Sequence, residues 1–372
     1  MKTEKHFETW VEVNLGSITN NIRLVEKISG LPAAAVIKAD AYGHGLIPVA
    51  QACIRGNASM LCVARFGEAI RLRKAGFIQP ILVLSMIPPE NVLEACDQKI
   101  CSTLYCYEQI ALYENILLGT GKKLKVHVKI DSGMGRLGVP AEEGLALLRA
   151  VSSSAVLETE GLFSHFARAD ETDPSTTDWQ IGRFEALVSE AEKNGLRPAI
   201  VHIANSAGAL FHPKACSYDM VRAGIAIYGM NPSDAAVLPK DFEPALSWKA
   251  GLTSIREMPA GYGISYGHRY HTQNAGDRVG VIPVGYADGY RRTKGNEVLV
   301  HGIKVPVIGN ICMDQCMIDL NQVPDAKLGD EVILIGKQGE KRITADEIAD
   351  KWGTINYEVT CGISHRVNRI YY

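Results

Sequence analysis

Short apolar, β-branched runs recur along the first two thirds of the chain, at 34–37, 61–63, 81–84, 100–103, 124–130, 161–163, 199–203 and near 220–228. Amphipathic stretches with helical spacing lie between most of them. Ile18, Ile22, Val25 and Ile28 form one apolar stripe, and Phe184, Leu187, Val188 and Ala191 form another. About eight strands alternating with helices over some 220 residues is the repeat of an α/β fold, a (β/α)8 barrel of the TIM type. An open doubly wound sheet has the same alternation and is the second choice.

After Gly229 the pattern changes. Asn231, Pro232, Ser233 and Pro239 punctuate a linker, and the long helical stripes stop. Short strand-like runs follow at 279–283, 298–300, 305–308, 317–320 and 332–335, separated by Gly, Asn, Asp and Pro. The expected division is a barrel over residues 1–239 and a mostly β domain over 240–372, with the first ~10 residues assignable to either. One late helix is predicted at 344–351, with Thr344 as N-cap and Glu347 completing a capping box.

Composition narrows the function classes. The 372 residues are 47% hydrophobic and 22% charged, with a formal net charge of -2, so no broad surface attracts polyphosphate and no nucleic-acid partner is expected. The opening residues 1–6 are charged with no apolar region behind them, and no apolar run is long enough to span a bilayer, so neither signal peptide nor membrane partner is expected. Nine cysteines without a CxxC motif point to reduced thiols in a cytoplasmic protein rather than a disulfide framework. Cys312 and Cys316 lack a matching pair, so no metal site is expected.

Candidate chemistry sits where the apolar runs end. Lys38 closes the first run and precedes a polar, Gly-containing turn, which in a barrel is the C-terminal mouth. An amine partly desolvated there can serve as a Schiff-base nucleophile; a solvated Lys at a strand end is the plainer reading. The segment 129–138, KIDSGMGRLG, contains a literal GxGxxG. It follows about the fifth strand, not the first, so a mouth loop presenting Arg136 to an anion fits better than a dinucleotide site. His165 and His202 each end an apolar run, and Asn205 and Ser206 follow at a point where a helix can begin. Arg222 lies inside the last apolar stretch, and its burial requires a carboxylate partner or a ligand. In the β domain, GISYG (263–267), ICMDQCM (311–317) and INYEV (355–359) read as hairpin turns with Met as core filler.

Taken together, AVIKADAYGHG, KIDSGMGRLG, SHFA, HIANSA, VRAGIAIYG, GISYG, ICMDQCM and INYEV occur in an order that resembles the alanine racemase family over residues 10–371. The resemblance implies an N-terminal barrel, a C-terminal β domain and a head-to-tail homodimer with composite sites. It also implies the cofactor pyridoxal 5'-phosphate, bound covalently by Lys38. His165 would lie against the cofactor ring. Ser206 and the Gly224 and Ile225 amides would hold the phosphate, joined by Tyr42 and Tyr357, with Asn205 beside them. Arg222 would face the pyridine nitrogen. Lys38 and Tyr266, the latter from the other copy, would be the two bases, with Tyr266 linked to His165, Arg222 and His202. Arg136 and the Met313 backbone amide, also from the other copy, would bind the substrate carboxylate. Lys129, just before the Arg136 loop, is expected to be carbamylated, since a bare ammonium would repel the guanidinium and a carbamate would fix it; family members often have this modification. The implied activity is interconversion of L- and D-alanine, supplying D-alanine for peptidoglycan. The competing readings are a serine or broad-specificity racemase, a decarboxylase of similar architecture, and a non-catalytic pyridoxal-phosphate carrier. Tyr266 and the β domain argue against the carrier, Arg222 against the decarboxylase, and Tyr357 for alanine over serine.

Overall fold

A computed structural model describes residues 7–372. The charged opening 1–6 lies outside the described residues. The chain divides into two compact units, Gly16–Glu243 and Pro244–Tyr372, the second joined by the N-terminal segment through Leu15.

The first unit is built on eight parallel strands: β1 (Ala33–Val36), β2 (Met60–Val63), β3 (Ile81–Val83), β4 (Ile100–Leu104), β5 (Leu124–Asp131), β6 (Leu157–Phe163), β7 (Ile200–His202) and β8 (Val221–Ala223). Each pairs with the next from β1 to β7, and β8 pairs back with β1. Two backbone bonds draw the last edge together, Asp219 N–H to Val201 O and Arg222 N–H to Ala204 O, both 2.9 Å. The barrel anticipated from the apolar runs is therefore present and nearly closed. The strands are short, apolar and buried, as expected when helices cover the outside. β5 alternates instead. Ile130 faces outward against the helix Gly144–Ser152, while His127 and Lys129 face inward against His202 and Phe163.

Both predicted stripes lie on helices. In Ser175–Lys193, Phe184, Leu187, Val188 and Ala191 are all buried. In Leu15–Ser29, Ile18, Ile22 and Val25 are buried, but Ile28 is 44% exposed. Ten positions at 100° each leave Ile28 about 80° from Ile18, at the edge of the stripe.

The second unit is a mostly β structure. Its main sheet runs Ser254–Met258, Asp277–Ile282, Cys316–Asp319, Ile303–Ile308, Glu297–Val300, Glu331–Gln338, Leu246–Gly251, Thr9–Val13, Asn368–Tyr371. A tenth strand, Lys341–Ile343, pairs with Glu331–Gln338. The five anticipated strands appear, and five others were not anticipated: Leu246–Gly251, Ser254–Met258, Thr9–Val13, Lys341–Ile343 and Asn368–Tyr371. Thr9–Val13 is buried at Val11 and Val13 and pairs antiparallel with Leu246–Gly251. The fully buried Trp248 donates from Nε1 to Thr9 Oγ1 at 2.8 Å. The late helix is Ala345–Trp352, and its capping box forms through Glu347 N–H to Thr344 Oγ1 and Thr344 N–H to Glu347 Oε2.

Two local expectations are corrected. INYEV opens a short helix, Asn356–Cys361, rather than a hairpin turn. Asn356, Val359 and Thr360 share its buried face, and Asn356 Nδ2 donates to Asp346 Oδ1 at 2.6 Å. Met313 is not core filler: it is 53% exposed. Met317 does pack against buried Met258, Ile264, Val279 and Ile308.

Candidate active site

Lys38 follows β1 at the C-terminal mouth and is half-buried. The turn after it is strained. Ala39, Asp40, Ala41 and Tyr42 have φ of 54°, 52°, 55° and 54°, a run of left-handed non-glycine residues. Each costs roughly 1–2 kcal/mol, so the surroundings must hold them. Glu68 Oε1 accepts from Ala39 N–H at 2.7 Å, and its other oxygen accepts from Ala64 and Arg65 N–H. Asp40 Oδ1 accepts from Leu46 N–H at 3.1 Å. Tyr42 is thereby buried, its ring 4.8 Å from that of Tyr228.

The turn brings Tyr42 to the ends of β7 and β8. A Cβ added to Gly224 would lie 2.8 Å from the Tyr42 hydroxyl, so glycine keeps a cradle open there. Ser206 Oγ accepts from Gly224 N–H at 2.9 Å and Ala226 N–H at 3.3 Å, and Ile225 lies between them. Asn205 is the N-cap of Ser206–Phe211, its Oδ1 accepting from Gly208 N–H.

Arg222 on β8 is buried and meets no carboxylate among the described residues. Its Nη1 donates to His202 Nδ1 at 2.7 Å and its Nη2 to His165 Nδ1 at 3.1 Å. The carbonyls of Ser164, Ile203 and His202 take further bonds. Phe163 packs beneath, with Arg222 Cζ 5.2 Å from its ring centroid and His202 stacked at 4.9 Å. Burial lowers the guanidinium to about 10. The chain of groups goes further than the sequence disclosed, since His202 Nε2 lies 2.9 Å from His127 Nδ1.

Lys129 is buried on β5, its Nζ 5.5 Å from the Phe163 centroid. A bare Lys129 could have paired with Asp131, two residues on, but Asp131 organises the loop, accepting from the backbone N–H of Gly133, Met134 and Arg136. Gly138 (φ 116°) lets the loop return, because a Cβ there would stand 2.5 Å from Asp131 N. The GxGxxG thus closes a mouth loop that leaves Arg136 exposed, and no helix opens on it. Buried Gln180, not anticipated, ties the mouth together: it donates to His165 O and to Ser132 Oγ and accepts from Ala167 N–H.

In the second unit, Tyr266 is 71% exposed on a single turn following Ser265, whose φ is 63°. Ser265 Oγ donates to Asn310 O at 2.5 Å and Asn310 Nδ2 to Tyr266 O at 2.6 Å, pinning that strained turn. The exposed Met313 takes Ala287 N–H on its carbonyl at 3.0 Å. Tyr357 lies half-buried in Asn356–Cys361.

Burial holds the imidazoles of His127, His165 and His202 below the ordinary histidine range, the last two well below. As pH falls through about 6.5 the unfolded chain protonates at these positions and the folded chain resists, so the unfolded state binds more protons. Their contribution to stability is complete above that pH and is lost on acidification. While its amine is unmodified, Lys129 acts in the same direction, its pKa lowered from 10.5 to about 7, chiefly by burial and then by Arg136 and Arg222. Denaturant midpoints should therefore fall between about pH 9 and pH 5.5, most steeply below 6.5. A flat profile would mean that the buried groups take up protons in place.

Comparison with known proteins gives the same assignment from both units. Residues 13–232 match the family model "Alanine racemase, N-terminal domain" and residues 245–371 the "Alanine racemase, C-terminal domain". An alanine racemase from Desulfovibrio desulfuricans is 42% identical over 366 residues, 97% of each chain. The crystal structure of alanine racemase from Bacillus anthracis with bound L-Ala-P superposes with a TM-score of 0.92 at 38% identity, covering 100% of this chain and 96% of that one. A histidine racemase from Leuconostoc mesenteroides superposes at 0.90 with 30% identity, covering 99% of each. The chain belongs to the alanine racemase family.

Proposed function

We propose that the protein is a cytoplasmic homodimeric isomerase that interconverts L- and D-alanine with pyridoxal 5'-phosphate, supplying D-alanine for peptidoglycan. The observation that supports this most is the convergence of Lys38, the Tyr42–Ser206–Gly224 cradle and Arg222 at one barrel mouth. The donor set fits the cofactor: an amine for its aldehyde, hydroxyl and amide groups for its phosphate, and a buried guanidinium without a carboxylate for its ring. When bound, the cofactor supplies the electron sink that acidifies the substrate Cα–H.

The chain's own residues do the rest. Lys38 would hold the resting cofactor through its amine, and once substrate takes that place the freed Nζ would take the proton on one face of the Cα–H. Ser206, the Gly224 and Ile225 amides, Tyr42 and Tyr357 hold the phosphate, with Asn205 setting the Ser206 helix start. His165 would lie against the ring. Arg222 offers only donors, so it keeps the ring nitrogen unprotonated. That weakens the sink and favours inversion over transamination or decarboxylation. Arg136 and the Met313 amide orient the substrate carboxylate, and Tyr266 takes the proton on the opposite face. Tyr266 and Met313 belong to the second unit and are exposed, which suits residues donated to another copy. All nine cysteines are free, consistent with a reducing compartment, and among the described residues no helix is long and apolar enough to cross a membrane.

A solved relative described as a histidine racemase makes substrate choice the point to test. Chiral chromatography of reactions with L-alanine, L-serine and L-histidine should give D-alanine fastest. Faster inversion of serine or histidine would overturn the alanine assignment.

Lys129 is proposed to be carbamylated. An amine brought to about pKa 7 is largely neutral at physiological pH, and the neutral amine attacks CO2, forming the N–C bond and releasing one proton. The resulting anion sits among Arg136, Arg222 and Lys38, the cations that act on Lys129. Intact-protein spectra under native conditions with bicarbonate should show the added CO2, and Lys129→Ala should lose activity that short carboxylates partly restore. Full activity of the variant without them would reject the role.

A further inference from the structure

Below the mouth, a line of buried groups continues from Arg222 to the opposite end of the barrel. Arg222 has N–H donors and no acceptor. His202 Nδ1, at 2.7 Å from Nη1, must therefore be bare, which leaves the ring proton of neutral His202 on Nε2. That nitrogen faces His127 Nδ1 at 2.9 Å, so His127 accepts there and has its own proton on Nε2. His127 Nε2 is fully buried with no partner at ordinary hydrogen-bond length, and the Glu160 carboxylate stands 3.5 Å away. The other Glu160 oxygen accepts from Lys125 Nζ at 2.7 Å, and Glu158 lies 3.7 Å from that same amine.

The reverse order is excluded by both ends. It would set a His202 N–H against an Arg222 N–H and leave a bare nitrogen facing a carboxylate. Charging either ring is opposed by burial, which lowers both imidazoles, while Glu160 is held down to about 2 chiefly by its contact with His127. The strands are shaped for this line. A Cβ on Gly161 would come within 2.4 Å of His127 Nδ1, and the β5–β6 register shifts at Val126/His127.

We infer that Glu160 and His127 are positioning residues for the racemase reaction: through His202 they fix one proton order, so that Arg222 meets only acceptors and keeps one orientation. Its effect on turnover rests on the reading that Arg222 faces the cofactor ring. The Cys101, His127 and Glu160 ligand atoms lie within 4.8 Å of one another, a grouping that invites a metal ion. A metal on Nε2 would move the His127 proton to Nδ1 and break the order, so the two proposals exclude each other.

The test uses the full-length holoenzyme with 15N-labelled histidine and long-range 1H–15N NMR. His127 and His202 should both be neutral and protonated at Nε2. Glu160→Leu should give a second His202 tautomer and lower kcat by roughly 2- to 30-fold with little change in KM. Glu160→Asp, which keeps an acceptor, should restore both. A proton on Nδ1 of either ring in the wild type, or wild-type tautomers and kcat in Glu160→Leu, would overturn the inference. So would stoichiometric Zn2+ uptake that shifts the His127 signals and blocks Cys101. Wild-type protein with the expected tautomers but no alanine racemisation would instead sink the functional reading and leave the proton order standing.

Discussion

Lys38→Ala is expected to leave the protein colourless and to lower racemisation in both directions by at least about 10⁴-fold, since it removes the covalent attachment and one of two bases together. The strained turn of residues 39–42 is held by Glu68 and Asp40, so the variant should fold and dimerise, which sedimentation and far-UV circular dichroism would confirm. Tyr266→Ala should keep the colour and lose most of the turnover. Mixing the two inactive proteins then separates a shared site from a site closed within one chain. In a heterodimer with shared sites, one site pairs an intact Lys38 with an intact Tyr266 and the other has neither. After full exchange of equal amounts, half the dimers are mixed and each has one good site, so activity should recover to about one quarter of wild type. No recovery after exchange demonstrated by mass spectrometry would mean that each chain completes its own site.

The barrel was legible because its strands are runs of adjacent apolar residues, a signal that survives without knowledge of neighbours. Lys38, His165, His202 and Arg222 stood out for the same reason, each a polar residue ending or interrupting such a run. What could not be read is conformational or distant. Nothing in Ala39-Asp40-Ala41-Tyr42 signals four left-handed residues, because none is Gly or Asn and the strain is held by Glu68, about one barrel repeat later. Glu160 acts through contacts to the neighbouring strand, and Gln180 through contacts to the loop residues Ser132, His165 and Ala167. His127 was within reach: the segment from Leu124 to Asp131 alternates apolar with Lys125, His127, Lys129 and Asp131, and a polar row on a barrel strand points a chemical column inward. Thr9–Val13 was missed because its five residues pair with Leu246–Gly251, far along the chain. The motifs of the β unit conveyed identity better than shape: Met313 looked like core filler but stands exposed, whereas GISYG does lie at a hairpin, Gly263–Ile264 pairing with Tyr270–His271.

Tyr266→Ala should separate the two bases in a way that overall kinetics cannot. Lys38 and Tyr266 are assigned to opposite faces of the Cα–H, Lys38 abstracting from D-alanine and Tyr266 from L-alanine. A catalyst cannot change an equilibrium constant, so net racemisation in the variant must fall equally in both directions, by about 10²–10⁴-fold. The asymmetry can appear only in proton exchange without inversion. With Lys38 in place, the variant should still wash deuterium from D2O into D-alanine, returning it as D-alanine, while exchange into L-alanine falls with the overall reaction. Incubation in D2O, followed by NMR for α-deuterium and chiral chromatography for configuration, reads the two rates separately. The strained Ser265–Tyr266 turn sharpens the test. Asn310 pins the Tyr266 carbonyl and Ser265 anchors to Asn310, so Tyr266→Phe keeps the turn and the ring while deleting only the hydroxyl. The same one-sided exchange in Tyr266→Phe would place the base at the phenol oxygen. Equal loss of exchange from both enantiomers in both variants would reject the two-base assignment in favour of a single base that reaches both faces.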